Sequence, residues 1–280
     1  MNDFEIEKYL NRIGPSLNKN MTTMDKLKML HLHHPYQITF ENIDSFTDTV
    51  PSLDLNVISL KVLENKRGGY CYEQNLLFLA VLQEIGIKPK IHLARVLWNN
   101  QNNQETPRTH MLLTANVEGN PFLIDVGFGS MTLTAPMQLN ITEAQQTPNG
   151  IFRIVPLRGF YQLEVLKGEW LPIYRFSLEE VYHSDLEMAN WYTATYLHSV
   201  FKRFLIISKV DELGRYSLFN NEFNIRWNYG KKESGRITSF EQLKDILSNI
   251  FNLCNLSNNS LEMIYNKLKE EPLKLVEGNS

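Results

Sequence analysis

RGGYCYEQNLLFLAVLQEIG, residues 67–86, divides at its cysteine into a glycine turn and the strongest helical run of the chain. Leu76, Leu77, Leu79, Ala80 and Ile85 are too many for one narrow stripe, so this helix is expected to be buried on most sides. Gly86 supplies the stop, because glycine accepts the left-handed conformation that ends a helix. Working upstream, Phe4, Ile6, Tyr9, Leu10 and Ile13 recur at helical spacing until Gly14-Pro15. Thr22 and Asp25 offer a capping box for a second helix, with Met24, Leu27 and Leu30 as its stripe and Pro35 as its expected end. A third run spans about Val57 to Asn65. The first 85 or so residues are therefore expected to be helical.

Downstream the period changes. KIHLARVLW, HMLLTANV, PFLIDVGF, IFRIVPL, FYQLEVL and WLPIYRF follow one another between residues 90 and 176, separated by polar turns such as Glu118-Gly119-Asn120-Pro121. Short strands with close turns predict an antiparallel sheet or small barrel. LEMANWYTATYLHS reads as a helix. FLIISKV, RYSLF and EFNIRW read as a second meander, and two helices are expected at about 239–252 and 260–270.

Composition narrows the function. Apolar residues make up 43% of 280 and charged residues 21%, which suits a packed globule and excludes a disordered chain. Basic residues number 28 and acidic 31, a net charge of −3, so no electrostatic footprint for nucleic acid or an anionic membrane is present. Two cysteines cannot build a disulfide framework. The first 13 residues carry acids where a secretory leader needs bases, and no run is long and apolar enough for a membrane span. A cytoplasmic protein is the expectation.

A free cysteine is ordinarily a small buried hydrophobe. Three features set Cys71 apart: the preceding Gly68-Gly69 permits close backbone approach, the helix start stabilises a thiolate, and Arg67 adds positive charge nearby. Cys254 has none of them. A thiolate nucleophile needs a base, and the base needs an orienting acceptor. His110 opens an apolar β-run just after a polar loop at residues 99–107. Asp125 is a carboxylate set among Phe122, Leu123, Ile124 and Val126, which is costly unless it is hydrogen-bonded. It either caps the turn at Gly127 and Gly129 or accepts the imidazole N–H of His110. Among the other histidines, His31, His33 and His34 in HLHHP read as a solvated helix end in preference to a zinc site, since no cysteine or carboxylate completes the spacing. His183 and Asp185 read as a polar loop.

These residues resemble the arylamine N-acetyltransferases. Residues 67–75 look like the family's RGGxCxExN motif, Asp125 to Gly129 like its DVGFG, and Thr109-His110-Met111 like its histidine segment. His110 stands 39 residues after Cys71 and Asp125 another 15 on, as in the family. Phe40-Glu41-Asn42-Ile43 is similar to the PFEN(L/I) element with Thr39 replacing proline, and Tyr9 to Gly14 and Ala94-Arg95-Val96 match further segments. The likeness is close over about residues 5–130 and holds only in element order beyond.

The resemblance implies an α+β fold with a cysteine-protease-like catalytic core. It comprises an N-terminal helical bundle (1–86), a central antiparallel β-barrel (87–186) and a C-terminal α/β lid (187–280). It implies acetyl transfer from acetyl-CoA, through a Cys71 thioester, to arylamines, arylhydrazines or hydrazides, a chemistry of xenobiotic metabolism. Cys71, His110 and Asp125 become the catalytic triad, with backbone N–H groups of Cys71 and Tyr72 as oxyanion donors. Thr109, Gly127 and Gly129 would flank the CoA arm. Phe40, Val96 and Phe128 would line the acceptor pocket, although core packing explains Phe40 and Val96 equally well. Arg67 and Glu73 would form a structural ion pair. No metal or prosthetic group is implied, and a monomer or homodimer is expected. A thiol hydrolase, a transglutaminase-like enzyme, an amide synthase of the same superfamily and a non-catalytic binding protein are the competing readings.

Overall fold

The structure is a computed structural model that describes residues 6–99 and 105–269. Phe4, the middle of the polar loop at 100–104 and the end of the last expected helix lie outside the described residues.

The N-terminal helices are α1 (Ile6–Ile13), α2 (Thr23–Gln37), α3 (Ile43–Phe46), α4 (Leu55–Ser59) and α5 (Cys71–Glu84). Thr22 caps α2, its hydroxyl oxygen accepting the Asp25 N–H at 3.1 Å. Pro35 does not end that helix: α2 runs two residues past it, and Ile38 donates its N–H to the His34 carbonyl. The proline removes one donor, so the carbonyl of His31 four residues back has no helical partner. A π-turn (Leu60–Glu64) extends α4, closed by the Asn65 N–H on the Leu60 carbonyl. α5 is buried as its composition predicts: Leu77, Phe78, Val81 and Leu82 are fully enclosed. Each such side chain contributes about 1.5–3 kcal/mol of burial.

The strands between residues 90 and 176 form an eight-stranded antiparallel sheet. Its long members are β2 (Lys90–Val96), β3 (Arg108–Val117), β4 (Asn120–Ile124), β7 (Gly150–Leu157), β8 (Phe160–Lys167) and β9 (Glu169–Phe176). The short strands β5 (Met137–Gln138) and β6 (Gln145–Thr147) form its edges, and the order is β5-β4-β3-β2-β9-β8-β7-β6. The Gln145 side chain bridges those edges, donating to the Gln138 carbonyl and accepting its N–H, both at 2.9 Å, so the barrel is nearly closed. β3 is buried on both faces. Met111, Leu113, Ala115 and Val117 meet the helices, whereas Leu112 packs inside the barrel with Leu123, Phe152 and Leu163.

β1 (Phe40–Glu41), a strand inside the expected helical region, pairs with β10 (Ile206–Val210) at Phe40↔Ser208 and so starts the second sheet. β11 (Gly214–Phe219), β12 (Glu222–Trp227) and β13 (Lys232–Arg236), the last a strand the pattern did not show, complete it. One face carries Ile207, Leu218 and Ile225 against Leu243 of α8 (Phe240–Asp245), Leu247 and Phe251, and α9 (Asn258–Lys269). α6 (His183–Thr195) begins at His183, where a loop was expected, with the Asp185 carboxylate accepting the Tyr182 N–H. α7 (Val200–Arg203) follows it. Arg215 fastens this sheet to the barrel: its buried guanidinium donates to the carbonyls of Ser130, Thr132 and Asn149. No helix among the described residues is long and apolar enough to cross a membrane.

Candidate active site

Cys71 is the first residue of α5, so its sulfur sits where helical N–H groups lack intrahelical acceptors. The turn before it is held from the helix side, Glu73 accepting the Tyr70 N–H at 3.1 Å. Gly68 is obligatory there: a Cβ would lie 1.9 Å from the Thr39 carbonyl oxygen. Thr39, where the resembled motif has proline, turns its hydroxyl onto the Phe251 carbonyl at 2.6 Å and ties the turn to the C-terminal part of the chain.

The expected pairing of Arg67 with Glu73 is not what forms. Arg67 binds Glu41 at 2.7 Å and Asp44 at 2.8 Å, while Glu73 binds Lys61 at 2.7 Å. Arg67 is therefore neutralised by Glu41 of β1 and Asp44 of α3 and supplies little net charge to the sulfur. Burial pushes the Glu73 carboxyl up to about 7, with the Asp44 and Glu41 carboxylates adding to the rise and Lys61 opposing it. The network predicts a stability effect. Arg67→Met should cost about 3–5 kcal/mol in urea unfolding, because the Glu41 side chain is fully buried and would be left unpaired on that side. A cost under about 1 kcal/mol would show that Lys61 alone satisfies it.

β3 and β4 bring His110 and Asp125 together through the hairpin register Leu113↔Ile124. His110 Nε2 lies 2.7 Å from Asp125 Oδ2. Nδ1 is thus left on the side of Cys71, whose sulfur is near enough to raise the imidazole. All three residues are buried, Cys71 at 2% exposure, His110 at 3% and Asp125 at 0%. Burial pulls the imidazole down, but the Asp125 charge and hydrogen bond, aided by Cys71, push it up to about 10. Burial raises the Asp125 carboxyl, and the His110 charge, the Asn75 amide and the Gly127 N–H more than reverse this, holding it below the usual carboxylate range. Asp125 therefore both accepts from His110 and caps its own turn, with Gly127 N–H on Oδ1 at 2.9 Å.

Several supporting residues went unassigned in the sequence reading. Asn75 donates to Asp125 Oδ1 at 3.0 Å and to the Met111 carbonyl at 2.8 Å, and accepts the Val126 N–H. Only its place in the motif signals it. The Tyr174 ring stands 5.0 Å from the His110 ring, and Phe201 joins Phe40 and Tyr70 at 5.9 and 5.8 Å. No local pattern marks either.

The softer candidates fall as follows. The Thr109 carbonyl accepts from the Cys71 thiol at 3.7 Å and the Tyr72 hydroxyl at 3.0 Å. Phe128 meets the His110 ring edge-on at 5.1 Å. Phe40 is buried and Val96 half-buried, Val96 pairing with Tyr174. A Cβ on Gly127 would lie 3.0 Å from the Cys71 α-carbon and 2.9 Å from Asn75, so this glycine lets the barrel loop close on α5. Gly129 has φ +89° and lies against Phe40 and the Ser208 hydroxyl.

HLHHP is not a solvated helix end. His31 and His34 are fully buried and His33 is half-buried, because Phe78 of α5 packs edge-on against both buried rings at 5.8 and 5.3 Å. Among the described residues no group of three or more His, Cys, Asp or Glu could hold a metal ion. Two surface clefts, about 740 Å³ beside α6 and about 580 Å³ beside Arg95 and Arg175, contain none of Cys71, His110 and Asp125.

The N-acetyltransferase family model matches residues 23–260. The chain is 35% identical over 234 residues to the Salmonella typhimurium arylamine N-acetyltransferase / N-hydroxyarylamine O-acetyltransferase, covering 82% of this chain and 83% of that one. It is 33% identical to the Mycolicibacterium smegmatis arylamine N-acetyltransferase, over 88% and 90% of the two chains. The solved Salmonella typhimurium structure superposes with a TM-score of 0.87 at 30% identity, covering 94% of this chain and 97% of that one. The Mycobacterium marinum arylamine N-acetyltransferase in complex with CoA gives 0.88 at 28%, covering 94% and 99%.

Proposed function

Because the chain belongs to the arylamine N-acetyltransferase family, we propose that Cys71, His110 and Asp125 are the triad through which it moves an acetyl group from acetyl-CoA to an aromatic amine. The enzyme is an acyltransferase whose donor substrate is acetyl-CoA. The observation that carries the triad is the placement of one imidazole between a buried carboxylate at 2.7 Å and a thiol at a helix start.

The cycle has two half-reactions. The Cys71 proton passes to His110 Nδ1, and the thiolate attacks the carbonyl carbon of acetyl-CoA. The carbon–sulfur bond to CoA breaks, and CoA leaves with the proton that His110 returns. One thioester replaces another, so this half-reaction is close to thermoneutral. The arylamine then attacks the acetyl-enzyme while His110 assists removal of its N–H proton, and the Cys71 sulfur is released. Arylamines are weak bases, unprotonated and nucleophilic at neutral pH. Asp125 holds the imidazole orientation and supports its charge. The N–H groups of Cys71 and Tyr72 are the proposed oxyanion donors, of a kind worth about 3–4 kcal/mol of barrier.

Phe40, Val96 and Phe128 are the proposed lining of the acceptor pocket, and the edge of Phe128 on His110 supports its place there. Thr109, Gly127 and Gly129 are the proposed flank of the CoA arm. Gly127 would act through the tight closure of its loop on Cys71, and Gly129 through the space its missing side chain leaves beside Ser208.

The test is mass spectrometry after exposure to acetyl-CoA without acceptor. One acetyl group is expected on Cys71 and none on Cys254, and an added arylamine should remove it as acetylated amine. Free acetate without acetylated amine would mean that water resolves the acyl-enzyme and would replace transfer by hydrolysis.

A further inference from the structure

α2 carries two buried imidazoles that the proposed chemistry does not use, and their hydrogen bonds fix their tautomers. The Asp125 backbone N–H donates to His31 Nε2 at 3.3 Å. A backbone N–H only donates, so Nε2 is bare and the ring proton is on Nδ1, which is buried without a partner. One turn on, His34 is fixed in the opposite sense. Gln74 donates its amide N–H groups to the carbonyls of Thr39 and Gly69, both at 3.1 Å, which turns its oxygen toward His34 Nε2 at 2.5 Å. Nε2 must then donate, and Nδ1 accepts from the Tyr9 hydroxyl at 2.8 Å.

Both rings are uncharged. Burial pulls His31 down to about 4, despite the attraction of the Asp125 charge, and His34 to about 3, with Gln74 opposing the fall and His31 and Arg12 adding to it. A proton on His31 Nε2 would abolish its only acceptor toward Asp125. The buried Nδ1–H, without a partner at hydrogen-bond geometry, carries a desolvation cost that a hydrocarbon side chain would avoid. The cost is intelligible if Nε2 serves as an acceptor for a backbone that must not move.

We propose that His31 and His34 are positioning residues, two neutral imidazoles in opposite tautomers through which α2 braces Asp125 on one side and the turn before Cys71 on the other. His31 holds the main chain of the residue that orients His110. His34 holds Gln74, and Gln74 holds the carbonyl of Gly69, two residues before the nucleophile. One helix thus sets the separation of the two halves of the triad, which come from α5 and from the barrel. The inference rests on the triad reading above.

Nitrogen-15 spectra of the histidine rings in the wild-type protein at neutral pH test it first. His31 should be protonated at Nδ1 alone and His34 at Nε2 alone; a charged ring or the reverse tautomer at either overturns the proposal. Kinetics test it second. His31→Leu should lower kcat for acetyl-CoA about tenfold with KM within about twofold, and move the alkaline limb of the rate profile, near pH 10 in the wild type, downward. His31→Gln, whose side-chain oxygen can reach the Nε2 position, should recover most of the loss. If the folded His31→Leu protein matches the wild type in kcat per Cys71 and in pH profile, His31 is structural only and the proposal falls. If His31→Leu does not fold, the ring spectra decide. A failure of the triad itself would look different, because wild-type Cys71 would then take up no acetyl group.

Discussion

Cys71→Ser should abolish acetyl transfer while leaving the protein folded, with the rate falling by about 10⁵-fold or more. The hydroxyl is nearly isosteric with the thiol, so the buried start of α5 keeps its packing. Nucleophilicity is what disappears, because an alcohol at this site has no base strong enough to ionise it in the ground state. The measurement is initial rate with acetyl-CoA and an arylamine, accompanied by circular dichroism to establish folding. Cys254→Ser is the control. Cys254 is exposed, contacts Ser248 and lies in a different lobe, so its loss should leave the rate within about twofold. A folded Cys71→Ser protein that retains a tenth of the activity would remove the covalent route altogether.

Asp125→Asn should cost about 10³–10⁴-fold in acetyl transfer. The carboxylate is the main reason that the buried His110 stands near 10. An amide supplies no charge, burial is then unopposed by Asp125, and the imidazole should fall below its ordinary value and be neutral at pH 7. The pH–rate profile of Cys71 acetylation should lose its alkaline limb near 10 and acquire one in the acid range. Stability should change with the same signs. His110 is raised in the folded state, so its contribution is full below about 6.5 and is lost as pH rises through about 10. Asp125 is lowered, so its contribution is present above about 3.8 and is lost as pH falls through its depressed folded value. The wild type should therefore show both slopes in unfolding free energy against pH. Asp125→Asn should remove the acid slope of the carboxylate and the alkaline slope of the imidazole, and should leave a loss of stability as pH falls below about 6.5, where a depressed His110 takes up its proton on unfolding. An unchanged rate profile would mean that the carboxylate does not govern the imidazole.

The elements differ in how far they could be read in advance, and the difference is physical. The helix start at Cys71 was legible because glycines, cap and apolar run lie within one another's reach along the chain. The pairing of His110 with Asp125 was left open by the residues alone, which also allowed Asp125 to cap its own turn, and the hairpin that joins the two lets both contacts form. The partner of Arg67 was not legible. Glu73 is six residues away and Glu41 twenty-six, yet α5 turns Glu73 toward Lys61 while the turn before Cys71 runs beside β1 and presents Arg67 to Glu41. HLHHP misled for the same kind of reason. Its composition is that of an exposed helix end, but the broad apolar surface of α5 has to be covered, and α2 covers it with two imidazoles, all of whose ring nitrogens but His31 Nδ1 find buried partners.

The order of helices, barrel strands and a second α/β unit and the helix start at Cys71 followed from local patterns, while the grouping of Cys71 with His110 and Asp125 came from the resemblance of their motifs to a family. Periodicity and turn chemistry act over a few residues and are written in contiguous stretches. What only the folded molecule decided was which distant groups meet: β1 against β10, Thr39 on Phe251, Arg215 in its cage of carbonyls, and the histidines of α2 against Asp125 and Gln74. A period says which face a side chain is on. Only packing determines what stands opposite it, because buried donors and charges are satisfied by whatever the close-packed interior brings within three ångströms.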